Sequence, residues 1–274
     1  MIKYIFSDLD GTLLNPDGQL SDKDIAAVQA SQMPISLISA RSPQEMQSAV
    51  QQLALTTPQV AFNGGLIYRP TDLFPLVIAE YPLNTQVVAQ LVTALQAHFD
   101  TLSLSAYDLH HWYTQKIDSG IELEAKLTGQ LPTMINFSEQ LQNPFIKIFK
   151  IMLMVPNAKQ LATVQVFIDQ LHLPGVSVQQ SGTMYLEITS QQATKANAVA
   201  TILQTYHLTS AECAAFGDSQ NDLSMLSAVA HPIVMGNASK QVQAVGEFIT
   251  KTNAHNGFSY GLKKYITKVN QKVG

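Results

Sequence analysis

The residues best suited to do chemistry are Asp8 and Asp10, which lie one residue apart and are followed by Gly-Thr. They come directly after the apolar run 2–6, which predicts a buried strand with two carboxylates at its carboxyl end. Side chains alternate along an extended chain, so both carboxylates can face one small volume while Leu9 points away. Two carboxylates held this close repel each other unless a cation or a proton lies between them. The pattern indicates acid–base or metal chemistry, and an Asx-rich turn that only closes a strand is the structural alternative.

Further polar residues fall where other predicted strands and helices begin or end. Ser39 ends a strand just before a helix, where its hydroxyl and nearby backbone N–H groups can receive an anion. Lys195 begins a helix, where a cation opposes the helix dipole, so we expect an anion beside it. Asp218, Asn221 and Asp222 follow a buried strand. Taken singly, each also fits an ordinary role: a capping serine, a solvated lysine, or a turn that caps the next helix.

The elements that must position these residues alternate between strand and helix over the first 80 residues. Strands are predicted at 2–6, 34–39 and 59–62, with the last stopped by Asn-Gly-Gly at 63–65. A helix is predicted at 21–32, with Ser21 as its N-cap, and another starts at the capping box Ser-Pro-Gln-Glu that begins at Ser42. This order predicts a parallel sheet with helices on its faces.

The segment from about 83 to 184 has a different pattern, in which several strands and two or more helices suggest an antiparallel sheet with helices on one side. Strand and helix signals typical of a parallel sheet resume near Thr194 and continue through strands at 213–216 and 232–235. We therefore predict an α/β, Rossmann-like core at 1–82 and 185–274, interrupted by an α+β domain at 83–184. The second strand of the pair at 176–180 and 184–188 is predicted to lead back to the core sheet.

Composition narrows the function classes. The chain has 274 residues, 46% of them hydrophobic and 13% charged, a net charge of −4, and no basic tract, so neither nucleic acid nor a membrane surface is expected as a partner. Cys213 is the lone cysteine and lies in an apolar stretch, which predicts a packed core thiol and fits a reducing compartment. Because the first residues lack the pattern of a signal peptide, we expect a cytoplasmic location.

Together the motifs resemble the haloacid dehalogenase-like superfamily, and their order resembles its Cof-type branch (subfamily IIB), in which an α+β cap is inserted into the core. The matching segments share the family's order along the chain: Asp8-Leu9-Asp10-Gly11-Thr12, Ser39-Ala40-Arg41, Asn63-Gly64-Gly65, Lys195, Gly217-Asp218-Ser219-Gln220-Asn221-Asp222 and Met235-Gly236-Asn237-Ala238. The resemblance covers essentially the whole chain, although the cap matches by position and not by residues. Ser-Ala-Arg replaces the usual Thr-Gly-Arg, and Ala196 and Asn256 also depart from the family pattern.

This resemblance implies a Mg²⁺-dependent phosphatase that hydrolyses small phosphomonoesters through an aspartyl-phosphate. It implies that Asp8 is the nucleophile and that Asp10 protonates the leaving oxygen and then activates water. The implied Mg²⁺ ligands are the Asp8 carboxylate, the Asp10 backbone carbonyl and Asp218, with Asp222 in support. The residues implied to hold the phosphoryl oxygens are Ser39, Lys195 and Asn221. The cap is expected to close over the site, and the protein to be a monomer or a small homo-oligomer.

Two other functions are compatible with this architecture. One is a phosphomutase of the phosphomannomutase type, which needs a clamp for a second phosphate, and arginine is the natural clamp. Residues 83–184 contain no arginine, which weighs against a mutase. The other is a non-catalytic protein that binds phosphorylated metabolites. That reading predicts the loss of an acid or of the lysine, whereas Asp8, Asp10, Lys195 and Asp218 are all present. The aromatic cluster at 110–113 is a candidate substrate contact in the cap, or part of an alternating strand.

Overall fold

The structure, a computed structural model, describes residues 1–99 and 101–271. The strands, in chain order, are β1 (Tyr4–Ser7), β2 (Ile35–Leu37), β3 (Gln59–Ala61), β4 (Leu66–Arg69), β5 (Leu76–Glu80), β6 (Ser103–Tyr107), β7 (Trp112–Thr114), β8 (Thr133–Met134), β9 (Lys150–Met154), β10 (Val176–Ser181), β11 (Tyr185–Ser190), β12 (Cys213–Gly217), β13 (His231–Val234) and β14 (Phe248–Ile249). The α-helices are α1 (Asp22–Ser31), α2 (Pro43–Gln52), α3 (Thr85–His98), α4 (Ser119–Thr128), α5 (Phe137–Gln140), α6 (Ala158–Gln170), α7 (Lys195–Thr205), α8 (Leu223–Leu226), α9 (Lys240–Gln243), α10 (Gly257–Gly261) and α11 (Thr267–Gln271).

The described chain divides into two compact units. The first consists of residues 1–41, 46–79 and everything described from Thr194 onward, and the second of residues 42–45 and 80–193. In the described part of the chain, no helix is long and apolar enough to cross a membrane.

The first unit is built on a five-stranded parallel sheet in the order β14-β13-β12-β1-β2. The two central strands β1 and β12 are completely buried, as expected for a parallel sheet covered on both faces. The predicted α/β core is confirmed, and so is the core position of the Cys213 thiol, which is buried in β12.

The third predicted strand has a more complex role than its pattern suggested. It is present as β3, which touches the parallel sheet through a single bridge between Ile38 and Val60. It also pairs antiparallel with β4 in a separate sheet of order β3-β4-β5. The chain reverses at Asn63 and Gly64, which have φ angles of 55° and 111°. The Asn-Gly-Gly segment therefore ends β3 as predicted and also forms the turn of a hairpin.

Local sequence signals set the helix starts near the site. The Ser21 hydroxyl accepts the Asp24 N–H at the start of α1, as predicted. At α2, the predicted capping box is confirmed, because the Glu45 carboxylate accepts the Ser42 N–H at 2.7 Å and the Ser42 hydroxyl accepts the Glu45 N–H at 3.3 Å.

The second unit contains a six-stranded sheet in the order β10-β11-β9-β6-β7-β8, in which the pairs are antiparallel except for β7 with β8. One face packs on an apolar core formed with α3 and α6. The prediction that the strand near 184–188 leads back to the core sheet is wrong. That strand is β11, which pairs along its length with β9 and β10, so residues 185–193 belong to the second unit and not to a core beginning at 185.

Candidate active site

The parallel sheet brings the carboxyl ends of its strands to one edge, where ligands bind in α/β proteins. Ser7 of β1 pairs with Phe216 of β12, so Asp8 and the loop that starts after Gly217 leave adjacent strands. Ser39 follows β2 on the other side of β1. The sequence placed these residues at strand ends, and the structure places those ends side by side.

A tight turn over residues 9–13 presents Asp8 and Asp10 in different directions. The Leu14 N–H bonds to the Leu9 carbonyl at 2.9 Å, while Asp10 and Gly11 have non-helical backbone angles inside the turn. Gly11 has a φ of 79°, and an added Cβ there would lie 2.4 Å from a carboxylate oxygen of Asp218. Glycine is therefore required at this position on both conformational and steric grounds.

Replacing Gly11 with alanine is expected to reduce activity by at least tenfold and to destabilise the protein by about 1–3 kcal/mol. The physical reason is that alanine must adopt a positive φ and displace the Asp218 carboxylate. Denaturant unfolding and phosphate release measure the two effects. Gly18 has a similar φ of 73° but open space around it, so Gly18→Ala separates the conformational cost from the steric one. Equal activity of the two variants would contradict the steric argument.

Lys195 forms the centre of the site. Its ammonium lies 2.6 Å from Oδ1 of Asp8 and 2.7 Å from Oδ1 of Asp222, and its side chain is 1% exposed. Burial by itself would lower the pKa of Lys195, but the attraction of Asp8 and Asp222 outweighs it and raises that pKa above its usual range. The alternative of a solvated surface lysine is therefore wrong, and the anion expected beside the helix start is a pair of carboxylates.

Asp222 connects Lys195 to the loop after β12. Its second oxygen, Oδ2, accepts the backbone N–H groups of Asp218 and Ser219, each at 2.9 Å. Because both oxygens are already engaged, and the side chain is fully buried, Asp222 braces the loop and orients Lys195. The supporting role toward a cation that the resemblance implied for Asp222 stays a prediction.

Asp218 is held by both of its carboxylate oxygens. Oδ1 accepts the Thr12 hydroxyl at 3.0 Å, and Oδ2 accepts the side-chain amide of Asn237 at 3.1 Å. Burial, followed by repulsion from Asp222, raises the pKa of Asp218 to about 6. A carboxylate fixed in this way and partly excluded from water is suited to bind a cation.

Asp8, Asp218 and Asp222 offer carboxylate oxygens that all lie within 4.8 Å of one another. Burial raises the pKa of Asp8 above its usual range, and repulsion from Asp222 adds to this effect while Lys195 opposes it. The three carboxylates lie near a single ammonium, that of Lys195, so the cluster carries a net charge of −2 when all four groups are ionised. Hard oxygen donors with this charge fit a divalent cation such as Mg²⁺.

The Asp10 side chain lies apart from this cluster. Its two oxygens accept a bidentate pair of hydrogen bonds from Arg41, at 2.8 Å from Nε and 2.6 Å from the terminal nitrogen, and its side chain is 54% exposed. The role predicted for its backbone carbonyl as a metal ligand stays a prediction. Arg41 has no role among the predictions from sequence, although it is one of only two arginines and follows Ser39 by two residues.

The other predicted phosphoryl-binding residues differ in their positions. Ser39 is 1% exposed, and its hydroxyl accepts the Arg41 N–H at 3.2 Å. The carbonyl of Ser39 accepts the N–H of Asn63, whose Oδ1 is buried and has no hydrogen-bond partner within residues 1–99 and 101–271. Asn221, by contrast, is exposed, and its side-chain carbonyl accepts the Ser219 hydroxyl. The structure therefore brings together Asp8, Lys195, Asp218 and Asp222, but it shows no contact of Asn221 with them.

The aromatic cluster of the second unit covers the end of the turn between β6 and β7 and the first two residues of β7. The Asp108 carboxylate accepts the N–H groups of His110 and His111 and the Tyr113 hydroxyl at 2.6 Å. Trp112 is buried and stacks on Tyr107. These contacts account for the cluster as part of the β6–β7 hairpin.

Comparisons with known proteins point to one family. The model of the haloacid dehalogenase-like hydrolases matches residues 5–262. A putative phosphatase of Haemophilus influenzae is 26% identical over 267 residues, which cover 96% of this chain and 98% of the relative. The HMP-PP phosphatase of Cronobacter sakazakii is 30% identical over 241 residues, which cover 86% and 85%.

The solved structures support the fold. A haloacid dehalogenase-like hydrolase from Bacteroides thetaiotaomicron superimposes with a TM-score of 0.86 at 24% identity, covering 96% of this chain and 99% of that chain. At this identity the likeness shows a shared architecture. Any argument about the chemistry of this chain therefore has to rest on its own side chains.

Proposed function

This chain belongs to the haloacid dehalogenase-like hydrolase family, and we propose that it is a Mg²⁺-dependent phosphatase of small phosphomonoesters that works through an aspartyl-phosphate. The observation that carries the proposal is the buried contact of Asp8 with Lys195, beside Asp218 and Asp222. Two relatives that match most of the chain are named as phosphatases, which supports the same reaction class.

Asp8 is the proposed nucleophile. Its Oδ1 is held by Lys195, which leaves Oδ2 as the oxygen that attacks phosphorus. At about 4 Å and an effective dielectric near 20, each pair of opposing charges costs roughly 4 kcal/mol, so an anionic nucleophile meets a large barrier from a phosphate dianion. Lys195 lowers this barrier, because its ammonium lies beside the attacking group and can also face the incoming phosphoryl oxygens.

A divalent cation would be held by the carboxylates of Asp8 and Asp218, with Asp222 fixing the loop that carries Asp218. When bound, it supplies positive charge that offsets the repulsion between the phosphate and these acids. Ser39 is proposed to bind a phosphoryl oxygen at the end of β2. Asn221 is also proposed to bind a phosphoryl oxygen. Its side-chain carbonyl accepts the Ser219 hydroxyl in the structure, so the Asn221 side chain must leave this hydrogen bond to contact the phosphate.

Asp10 is the proposed general acid and base. In the structure its carboxylate is paired with Arg41 and not with Asp8, so it must turn toward the leaving oxygen to transfer a proton. A side chain that is half exposed and held by one partner can make this change without disrupting the core. We therefore propose that the pair with Arg41 is the resting position of Asp10.

We also propose that the first unit is the catalytic core and that the second is a cap that sets specificity. The first unit contains all of the proposed catalytic, phosphate-binding and metal-binding residues: Asp8, Asp10, Ser39, Lys195, Asp218, Asn221 and Asp222. The lone cysteine and the charge pattern favour a cytoplasmic protein with small-molecule substrates. The absence of arginine from residues 83–184 favours a phosphatase over a phosphomutase, and the retained acids and lysine favour an enzyme over a binding protein.

The test is phosphate release from sugar phosphates, flavin mononucleotide and pyridoxal phosphate, each with Mg²⁺ and with a chelator. Release that requires the metal is the expected result, and the ranking of substrates would identify the class that the cap prefers. If the folded protein releases phosphate from none of them, the proposal is overturned in favour of a mutase or a binding protein. Transfer of phosphate between positions of a bisphosphorylated sugar would identify the mutase.

A further inference from the structure

Asn237, at the carboxyl end of β13, joins three loops at the edge of the site. Its side-chain NH₂ donates to the Gly11 carbonyl at 2.8 Å and to Oδ2 of Asp218 at 3.1 Å. Its side-chain carbonyl accepts the Asn253 N–H at 3.0 Å. The sheet order β14-β13-β12-β1 explains how one side chain can reach loops that lie more than 200 residues apart in sequence.

These contacts permit only one orientation of the Asn237 amide. A flipped amide would turn its carbonyl toward the Gly11 carbonyl and the Asp218 carboxylate, which are acceptors, and its NH₂ toward the Asn253 N–H, which is a donor. Both hydrogens and the oxygen of the amide are therefore used. An exposed side chain without a structural role would not be expected to form hydrogen bonds with three different loops.

We propose that Asn237 is a positioning residue that orients the Asp218 carboxylate for a divalent cation, an inference that rests on the metal dependence proposed above. Thr12 and Asn237 hold one oxygen of Asp218 each, so together they restrict rotation of the carboxylate. By also holding the Gly11 carbonyl, Asn237 fixes the turn after β1 against Asp218. Groups that orient metal ligands in this way typically change metal affinity by 10–100-fold when they are removed.

The experiment measures Mn²⁺ and Mg²⁺ binding to the full chain by calorimetry, without substrate, after removal of metal with a chelator. We expect Asn237→Ala to weaken Mn²⁺ binding by about tenfold, because the site is partly open to solvent and Thr12 remains. Thr12→Val is expected to act in the same direction, and the double variant to bind Mn²⁺ more weakly than either single variant.

Gln243→Ala is the matched control. Its side-chain amide donates to the carbonyls of Gly236 and Ala238, on either side of Asn237, and among the described residues it forms no hydrogen bond with Asp218. We expect this variant to bind Mn²⁺ as the unmodified protein does. Thermal unfolding in chelator checks that both variants fold, and the two Tm values are expected to be similar.

Two results would overturn the proposal, and a third would overturn the metal dependence on which it rests. Unchanged Mn²⁺ affinity in Asn237→Ala would overturn the role of Asn237 alone. An equal loss of affinity in Gln243→Ala would overturn it too, since the effect would then come from the loop as a whole. If the unmodified protein binds neither Mn²⁺ nor Mg²⁺, the metal dependence of the proposed function fails, which is a separate outcome.

Discussion

Replacing Asp8 with asparagine is expected to lower phosphatase turnover by about 10⁴-fold or more while the protein stays folded. Asparagine keeps the size of the side chain but cannot form an aspartyl-phosphate, so the proposed covalent step is lost. Since Lys195 would still pair with Asp222, its charge remains compensated. Single-turnover phosphate release in the presence of Mg²⁺ measures the effect.

The same variant should change the pH dependence of stability in the absence of metal. A carboxyl group with a raised pKa in the folded state stabilises the fold at low pH, and its contribution is lost as the pH rises through the folded pKa. Burial raises the pKa of both Asp8 and Asp218, the latter to about 6. In chelator, we expect the unmodified protein to lose stability between about pH 4 and the neutral range, and Asp8→Asn to lose less.

Asp72→Asn is the matched control. It removes the same charge as Asp8→Asn, but at an exposed residue that lies far from the site residues in sequence. It is expected to keep full activity and the unmodified pH profile of stability. Substantial turnover by Asp8→Asn, measured with a preparation free of the unmodified enzyme, would contradict the assignment of the nucleophile. A pH profile identical to that of the unmodified protein would contradict the effect of burial on Asp8.

Some residues of this site could be predicted from local sequence, whereas others depend on packing between elements that are distant in sequence. Asp8, Ser39 and Asp218 could be assigned to one edge because each directly follows an apolar run, and parallel strands end together. Lys195 could be assigned only through the resemblance to a known family. As an isolated lysine at a helix start, it was equally compatible with a solvated position, and its burial between two acids depends on the packing of α7.

The hydrogen bonds that connect different loops of the site could not be predicted from the sequence. Neither the pairing of Arg41 with Asp10 nor the reach of Asn237 to Gly11 follows from periodicity or from local capping rules. Both depend on loop conformations that are fixed by several strands at once. Residues 235–238 match a family signature, but the signature alone does not indicate what Asn237 contacts.

The error in the position of β11 has a different cause. The apolar pattern at 184–188 correctly predicts a strand, but its location just before the resumed core suggests the wrong sheet as its partner. Pattern alone does not say which sheet a strand joins. The turn at Gly182, with a φ of 59°, connects β10 directly to β11 as an antiparallel hairpin, and this local connection determines the pairing.

Replacing Lys195 with methionine is expected to have the second large effect, with loss of both activity and stability. Methionine is similar in length but leaves the buried carboxylates of Asp8 and Asp222 without their cation. Removal of one partner from a buried ion pair typically costs about 3–5 kcal/mol, because the remaining charge is uncompensated. Turnover should fall by at least about 10³-fold, since Asp8 is no longer oriented and the phosphate loses a positive charge nearby.

The pH dependence of this loss identifies its origin. Because the pKa of Lys195 is raised in the folded state, its contribution to stability is present throughout the neutral range and is lost only at alkaline pH. The deficit of Lys195→Met in chelator should therefore be largest above the raised pKa of Asp8 and should shrink as the pH falls below it, because Asp8 then takes up a proton. Lys3→Met is the control, since Lys3 forms an exposed pair with Glu212, and no measurable change is expected.

A stability deficit of Lys195→Met that does not depend on pH would indicate lost packing, whereas one that shrinks as the pH falls would show that Lys195 stabilises the fold by compensating buried carboxylates. Asp8→Asn and Lys195→Met thus separate the two roles of the cluster, because the first should remove chemistry without a loss of stability, whereas the second should remove both chemistry and stability.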